Sequence, residues 1–471
     1  MNNFKISPDI NNNNIFLLNH SEIEGRLDPI FYNSNTKKFI KGKYPVSTIR
    51  NISLFIKSGV GAGKQDQANE LNGIVQIRPT NITNDGFLKY DKNIYLPKDS
   101  FADKIKENDV LFNNTNSQEL VGKTAIAKNI SGYFYSNHIT KIIVNNEIIR
   151  PEYLWILLNA YQKNKIFYSI CTNWNNQSGV GTELLKSLKI PLPTKEKQEE
   201  IINIYEIAYQ TKKQKEAESE SLLISIDDYL LNELGITLPE SDNSLNNRMF
   251  KVDFSQVTYN RWNPEYHQTH FSKCYNSMSK IYDLIDLSKL SLGVFQGVGR
   301  NLTDKDTYKL LKVKNIKRHN EIDYEDIEFV ESVPKFKLLK KYDIISPFIG
   351  EAIRQIKFSN FNKEEGNWTV DNNTGVIRIN FDIVNPEFIC QVLNSKIGKI
   401  QIQQLIGGGG VPFLGAFNVK KIKIPLPPLE IQNEIAEHIK SIRKLAKQLK
   451  VETLEVLEQA NKKIEKMILG E

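Results

Sequence analysis

Three short stretches of the chain hold residue types that could do chemistry. Ser58–Gln65, SGVGAGKQ, follows the apolar run Ile52–Ile56 and has the outline of a strand entering a phosphate-binding loop. Such a loop needs Gly, four residues, then Gly-Lys-Ser/Thr, because its N–H groups cradle phosphate while the hydroxyl holds Mg²⁺. Ser58 stands where the first glycine belongs and Gln65 where the hydroxyl belongs, so the metal ligand is missing and a glycine-rich turn is the better reading. His267–His270, HQTH, has an i,i+3 spacing that could hold a metal, but no further ligand flanks it. Two exposed histidines on a helix account for it. The acidic run Asp323–Glu328, DYEDIE, lacks the ordered lysine of a nuclease site and reads as a solvated strand or turn. No catalytic residue, metal or cofactor is expected from this inventory.

The remaining composition narrows the class. Cys171, Cys274 and Cys390 lie far apart, and the amino-terminal MNNFKISPDINNNNIF has no apolar signal core. Reduced thiols in a cytoplasm are therefore expected. No apolar run is long enough for a membrane span, so no membrane partner is expected. The 471 residues suffice for two or three domains, and the net charge of +7 permits an anionic partner without requiring one.

The elements that would position these residues occur twice. KIPLP stands at Lys189–Pro193 and again at Lys423–Pro427. RLDP begins at Arg26 and RWNP at Arg261; RPEYLWILLNA from Arg150 matches NPEFICQVLNS from Asn385. NDVLF from Asn108 aligns with YDIIS from Tyr342, and Asn81-Ile82 with Asn315-Ile316. A register this constant marks a tandem duplication of a unit of roughly 235 residues, too long for a solenoid repeat. SGVGAGKQ then has a counterpart in FQGVGRNL, Phe295–Leu302. What persists is a glycine turn followed by a cationic or amide side chain, suited to backbone approach to a polyanion and not to fixed phosphate chemistry.

Within each copy, short strand-like runs (GIVQIRPTNI, TAIAKNI and KIIVNN; then YKLLKVKNI and GVIRIN) precede a helix starting at Pro151 or Pro386. After IPLP or IPLPP, no proline or internal glycine interrupts Thr194–Leu234 or Leu429–Leu469, until Gly235 and Gly470. Ile431, Ile435, Ile439, Ile442, Leu445 and Leu449 continue in steps of three and four through Met467, an apolar helical stripe. About forty residues at 1.5 Å each give a helix of roughly 60 Å, which needs a partner. The chain supplies one per copy, and an antiparallel pair is the natural solution. GITLPESDNSLNNRM, Gly235–Met249, reads as a polar linker.

The order of RLDP or RWNP, a variable domain, IPLP…KEKQEEI or IPLPPLEIQNEI, and a long helix resembles the specificity subunit of Type I restriction–modification systems. The doubled IPLP-x₄-Q-x₂-I signal, Ile190–Ile201 and Ile424–Ile435 with Gln198 and Gln432, is its most specific part. The resemblance implies an α+β fold with two similar mixed α/β target recognition domains separated by a long antiparallel two-helix coiled coil, pseudo-twofold symmetric. The expected domains are residues 1–193 and 249–427, with spacer helices 194–235 and 428–471 and a linker 236–248. It implies a non-catalytic subunit reading a bipartite, asymmetric site on double-stranded DNA. Two methyltransferase subunits would dock on the spacer, and a restriction (translocase–nuclease) subunit would join them. The alternatives are a helical scaffold without base recognition, or a specificity subunit of a related system that cuts on both sides of its site. NPEY (Asn263–Tyr266) and NPEF (Asn385–Phe388) approach the Asn-Pro-Pro-Tyr tetrapeptide of adenine methyltransferases. Both carry Glu third, and neither follows a glycine-rich cofactor loop.

Candidate DNA contacts follow from chemistry: Lys and Arg against phosphates, and Arg, Lys, Asn or Gln at base edges. In the first copy they are Lys64, Gln65, Arg78, Thr80, Asn81 and the amides Asn113, Asn114 and Asn116. In the second they are Arg300, Asn301, Lys312, Lys314, Asn315, Lys317, Arg318 and Arg354, with KVKNIKRHN the strongest basic tract. The glycine segments IGGGGVPF (Ile406–Phe413) and QSGVGTEL before each IPLP are expected to be turns.

Overall fold

A computed structural model describes residues 42–470 apart from 176, 241–243, 246–248, 258–260 and 365, and before 42 only 7, 17–20, 23, 32 and 39. The RLDP of the first copy and parts of the 236–248 linker lie outside the described residues. The chain divides into two compact units, Met1–Gln214 with Glu452–Glu471, and Lys215–Val451.

In the first unit, strands β1 (Val46–Thr48), β2 (Ser53–Ser58), β3 (Gly73–Ile77), β4 (Tyr95–Pro97), β5 (Val110–Asn113), β6 (Thr115–Asn116), β7 (Thr124–Ile126), β8 (Phe134–Tyr135) and β9 (Ile139–Val144) precede helix α1 (Pro151–Lys163). Strands β10 (Thr172–Trp174), β11 (Gln177–Gly179) and β12 (Lys189–Pro191) follow, and helix α2 (Lys195–Glu233) starts after them. The main sheet runs β2-β9-β5-β7, a second runs β4-β3-β8, β1 pairs with β12, and β10-β11-β6 form a third small sheet.

The second unit repeats this plan. Its strands are β13 (Leu284–Asp286), β14 (Ser291–Gln296), β15 (Leu302–Thr303), β16 (Tyr308–Leu311), β17 (Glu328–Val330), β18 (Ile344–Pro347), β19 (Ser359–Asn360), β20 (Trp368–Val370), β21 (Thr374–Ile379) and β22 (Lys423–Pro425). Helix α3 (Pro386–Asn394) matches α1, and α4 (Leu429–Leu469) matches α2. The sheet orders β14-β21-β18-β19 and β13-β22 reproduce those of the first unit; the counterpart of β4-β3-β8 carries an added edge strand, β15-β17-β16-β20, and among the described residues no sheet matches β10-β11-β6. The copies share even an irregularity. β2 slips register between Ser53 and Phe55, and β14 between Ser291 and Gly293. A bulge re-aims the extra side chain, here leaving Leu54 and Leu292 70% and 68% exposed.

The amides that recur between copies are internal braces. Asn159 accepts from the Thr124 N–H (3.1 Å) and donates to the Thr124 carbonyl (2.8 Å); Asn394 does the same with Phe358 (2.9 and 2.8 Å). Each fastens its helix to a neighbouring backbone segment. Gln198 accepts the Arg150 N–H (2.8 Å) and donates to the carbonyls of Pro193 (3.0 Å) and Ile148 (3.3 Å). Gln432 accepts the Asn385 N–H (3.0 Å) and donates to the Pro427 carbonyl (2.8 Å). Both side chains are buried. The glutamine of the doubled motif therefore ties the first turn of a long helix to the start of α1 or α3 and to the preceding proline segment.

Both long helices form, and each contributes to the core of both units. Ile201, Ile202 and Tyr205 of α2 share the first unit's core with Leu457, Ile464, Met467 and Ile468 of α4. In the second unit Ile226, Leu230 and Leu234 of α2 pack with Ile435, Ala436 and Ile439 of α4. There Ser219 Oγ donates to the Ala446 carbonyl at 2.9 Å, and Tyr229 meets His438 at 4.2 Å between ring centroids, so the segments run antiparallel. Among the described residues no helix is long and apolar enough to cross a membrane.

Candidate nucleic-acid interface

The glycine turn is built alike in both copies. Beyond β2, Gly59 donates its N–H to the Ile139 carbonyl (3.1 Å) and Val60 donates to that of Tyr135 (3.2 Å). Beyond β14, Gly297 donates to Thr374 (3.0 Å) and Val298 to Val370 (2.9 Å). A Cβ on Gly59 would lie 2.0 Å from the Tyr135 oxygen, and one on Gly297 2.0 Å from the Val370 oxygen. The repeated Gly-Val is thus required by close backbone packing. A phosphate cradle is further excluded at Gly63, whose N–H is taken by the Asp66 carboxylate at 2.9 Å.

What borders the turn differs between copies. In the first, buried Gln76 donates to the Val60 carbonyl (2.8 Å) and accepts Nε–H of Arg78 (3.0 Å). The other end of the Arg78 guanidinium donates to the Ala62 carbonyl on the turn (3.1 Å). His138 lies beside it, its pKa lowered by burial first and by the Arg78 charge second. Lys64, Gln65 and Thr80 are exposed, and Asn116 is half-buried on β6.

In the second copy the arginine comes from the turn itself. Arg300, 50% exposed, donates to Asp371 Oδ2 at 2.8 Å, whose side chain has 0% exposure. The other oxygen of Asp371 accepts the Thr374 hydroxyl at 2.8 Å. Asn301 is exposed nearby. Residues Gln76, His138, Asp371 and Thr374 were not among the sequence candidates. The available signal was a polar side chain inside the otherwise apolar strand GIVQI, and an acid preceding the glycine of VDNNTG.

Four candidate amides need correction. Asn81 and Asn315 are buried, and each accepts the N–H of the residue three before it, Arg78 at 3.0 Å and Lys312 at 2.9 Å. Their amide groups donate to loop carbonyls, Lys89 for Asn81 and Asp323 for Asn315, both at 3.0 Å. Asn113 and Asn114 are also buried; Asn114 donates to Ser58 Oγ, the Asn137 carbonyl and Thr140 Oγ1. Side chains engaged inside the domain cannot reach a base edge, so these four shape the surface without forming it.

The basic tract is likewise changed by its surroundings. Lys312 pairs with Glu328, Lys317 with Asp323 at 3.1 Å, and Lys314 reaches Asp326 at 3.9 Å. The acidic run Asp323–Glu328 thus faces it, and hydrogen bonding from Lys312 holds the Glu328 carboxyl below its usual range. Arg318 and Arg354 line a cavity of about 470 Å³ with His319, Lys396 and Lys399, and none of its walls comes from the glycine turn. The histidines of HQTH turn to different partners, His267 to the Arg261 carbonyl and His270 to the Cys274 thiol.

The glycine segments before each IPLP pair with equivalent backbone. In the first copy Gln177–Gly179 is strand β11 against β6, not a turn. In the second, Phe413 bridges both Gly407 and Ile349, closing Gly408–Gly410 into a turn.

Comparison with known proteins gives a consistent picture. The family model described as Type I restriction modification DNA specificity domain matches residues 41–222 and 297–459, well over half of the chain. A Methanocaldococcus jannaschii protein described as the type I restriction enzyme MjaX specificity subunit is 26% identical over 396 residues, covering 80% of this chain and 84% of that one. The MjaVIII specificity subunit of the same organism is 23% identical over 408 residues, covering 82% and 86%. A solved structure from work on complex assembly and conformational transition of the type I system superposes with TM-score 0.52 at 13% identity, covering 91% of this chain and 98% of that one. At that identity the likeness is one of fold.

Proposed function

The chain belongs to the family of type I restriction–modification DNA specificity subunits, which recognise DNA and are not themselves catalytic, and we propose that its two copies read the two halves of a bipartite, asymmetric site on double-stranded DNA. Residues 1–193 and 249–427 act as the two readers. Helices 194–235 and 428–471 form an antiparallel coiled-coil spacer that sets the distance between the half-sites. Two methyltransferase subunits dock along that spacer and are directed to the site, and a restriction subunit joins them to translocate and cut.

One observation carries this reading. The copies agree in the order of the main sheet, in the bulge and in three amide braces, yet differ in the side chains that border the glycine turn. A shared scaffold with unlike walls is what two readers of unlike sequences need. Exposed Lys64, Gln65, Thr80, Arg300, Asn301, Lys314, Lys317, Arg318 and Arg354, with half-buried Arg78 and Asn116, supply the contacts, cations to phosphates and amide or guanidinium groups to base edges.

The spacer is tested by inserting four residues after Gln214 and four after Lys450, which lengthens each helix by about 6 Å. At roughly 3.4 Å per base pair, the methylated motif of the reconstituted complex should gain about two base pairs between unchanged halves. An unchanged gap would show that the helices do not set it.

A further inference from the structure

We infer that Arg78 and Arg300 each read one guanine, in opposite halves of the site, and that Gln76 and Asp371 are the residues that position them; the inference rests on the DNA-reading role proposed above. The two arginines reach their glycine turns from different walls. Arg78 follows β3, and its turn carries Ala62; Arg300 sits on its turn, and Lys312 follows the matching strand and pairs with Glu328. Each copy therefore holds one arginine fastened beside its turn.

The fastening leaves a reading edge. Arg78 spends Nε–H on Gln76 and one N–H of its NH2 group on Ala62. No hydrogen bond uses its NH1 group among the described residues, so an end-on pair of donors remains. Arg300 spends one NH2 donor on Asp371, and among the described residues its second NH2 donor stays unspent beside NH1 or Nε, so a parallel pair remains. A planar guanidinium with two parallel donors matches O6 and N7 of guanine, and a lysine replaces that fixed fork by a flexible point charge. Holding the group in place beforehand removes rotamer entropy that binding would otherwise cost. Gln76 is itself clamped to Val60, and Asp371 to Thr374, so each tether is rigid. Exposed lysines such as Lys64 have no such restraint among the described residues and suit phosphates.

The test compares Arg78→Lys and Arg300→Lys, which keep the charge, in the full chain reconstituted with its methyltransferase subunits, by sequencing all methylated sites. Arg78→Lys should lower the preference for guanine about 5- to 150-fold at one position of one half. Arg300→Lys should do so at one position of the other half. Asp371→Asn should weaken the preference at the Arg300 position only, and Gln76→Leu at the Arg78 position only. Replacing that guanine by 7-deazaguanine should cost the wild type more affinity than the matching lysine variant, a readout that a merely structural role would not produce. Lysine variants that methylate the unaltered motif at uniformly lower extent would overturn the inference, since that is the behaviour of a phosphate contact. A wild-type complex that methylates no two-part motif would instead refute the proposed role itself, and the inference with it.

Discussion

Gln432→Leu shortens the side chain by one atom and removes both of its hydrogen bonds. The Asn385 N–H and the Pro427 carbonyl lose their partners at a position 1% exposed. An orphaned buried polar group costs about 1–3 kcal/mol, and the added apolar surface of leucine returns about 1–2 kcal/mol. With two groups orphaned the net loss is roughly 1–4 kcal/mol, or a fall in Tm on the order of 3–15 °C for a unit of this size. Gln198→Leu should fall further, because Gln198 also donates to the Ile148 carbonyl. Differential scanning calorimetry of the purified chain measures both. Since neither glutamine borders the glycine turn, the methylated motif should stay the same at temperatures where the variants fold. Variants melting within about a degree of the wild type would refute the idea that the motif glutamine fastens helix to domain.

Other outcomes follow from the same geometry. Asp343→Ala should destabilise the second unit by about 3–5 kcal/mol, because the buried carboxylate takes two bonds from Arg378, at 3.0 and 2.7 Å; urea unfolding with an unchanged midpoint would contradict it. The His138 imidazole should titrate below the ordinary histidine value by NMR, and its midpoint should rise in Arg78→Gln. A folded-state pKa below the unfolded one means its contribution to stability is present above the unfolded value and lost as pH falls through the folded one. A midpoint unmoved by the substitution would mean that the guanidinium does not act on the ring. Replacing Asp323, Asp326 and Glu328 together by their amides should free Lys312, Lys314 and Lys317, tighten non-specific DNA binding and steepen its salt dependence. An unchanged slope would show that these lysines do not face the DNA.

Periodicity and repetition made the scaffold legible. The 39- and 41-residue helices appear where proline and glycine are absent, and both α1 and α3 begin at the prolines of RPEY and NPEF. Chemical type made the interface only partly legible, because an amide or lysine looks the same whether it faces solvent or a neighbour. Asn81 and Asn315 repeat because they brace turns, and such repetition at one residue marks the scaffold that the two copies share. The pairing of KVKNIKRHN with DYEDIE did have a signal: each ion pair is symmetric about Asn320, whose φ of +62° turns the chain. Asp371 and Gln76 could not be found by type alone. Their role depends on β16 pairing with β20 and β3 with β8, which brings distant residues to the turn.

The most direct measurement is the methylated motif of a hybrid in which residues 26–188 are replaced by the matching part of a relative that reads a different site. If each copy reads its own half, one half of the motif should change to the relative's while the other half and the gap stay as they were. A motif unchanged throughout, or altered in both halves, would contradict that account.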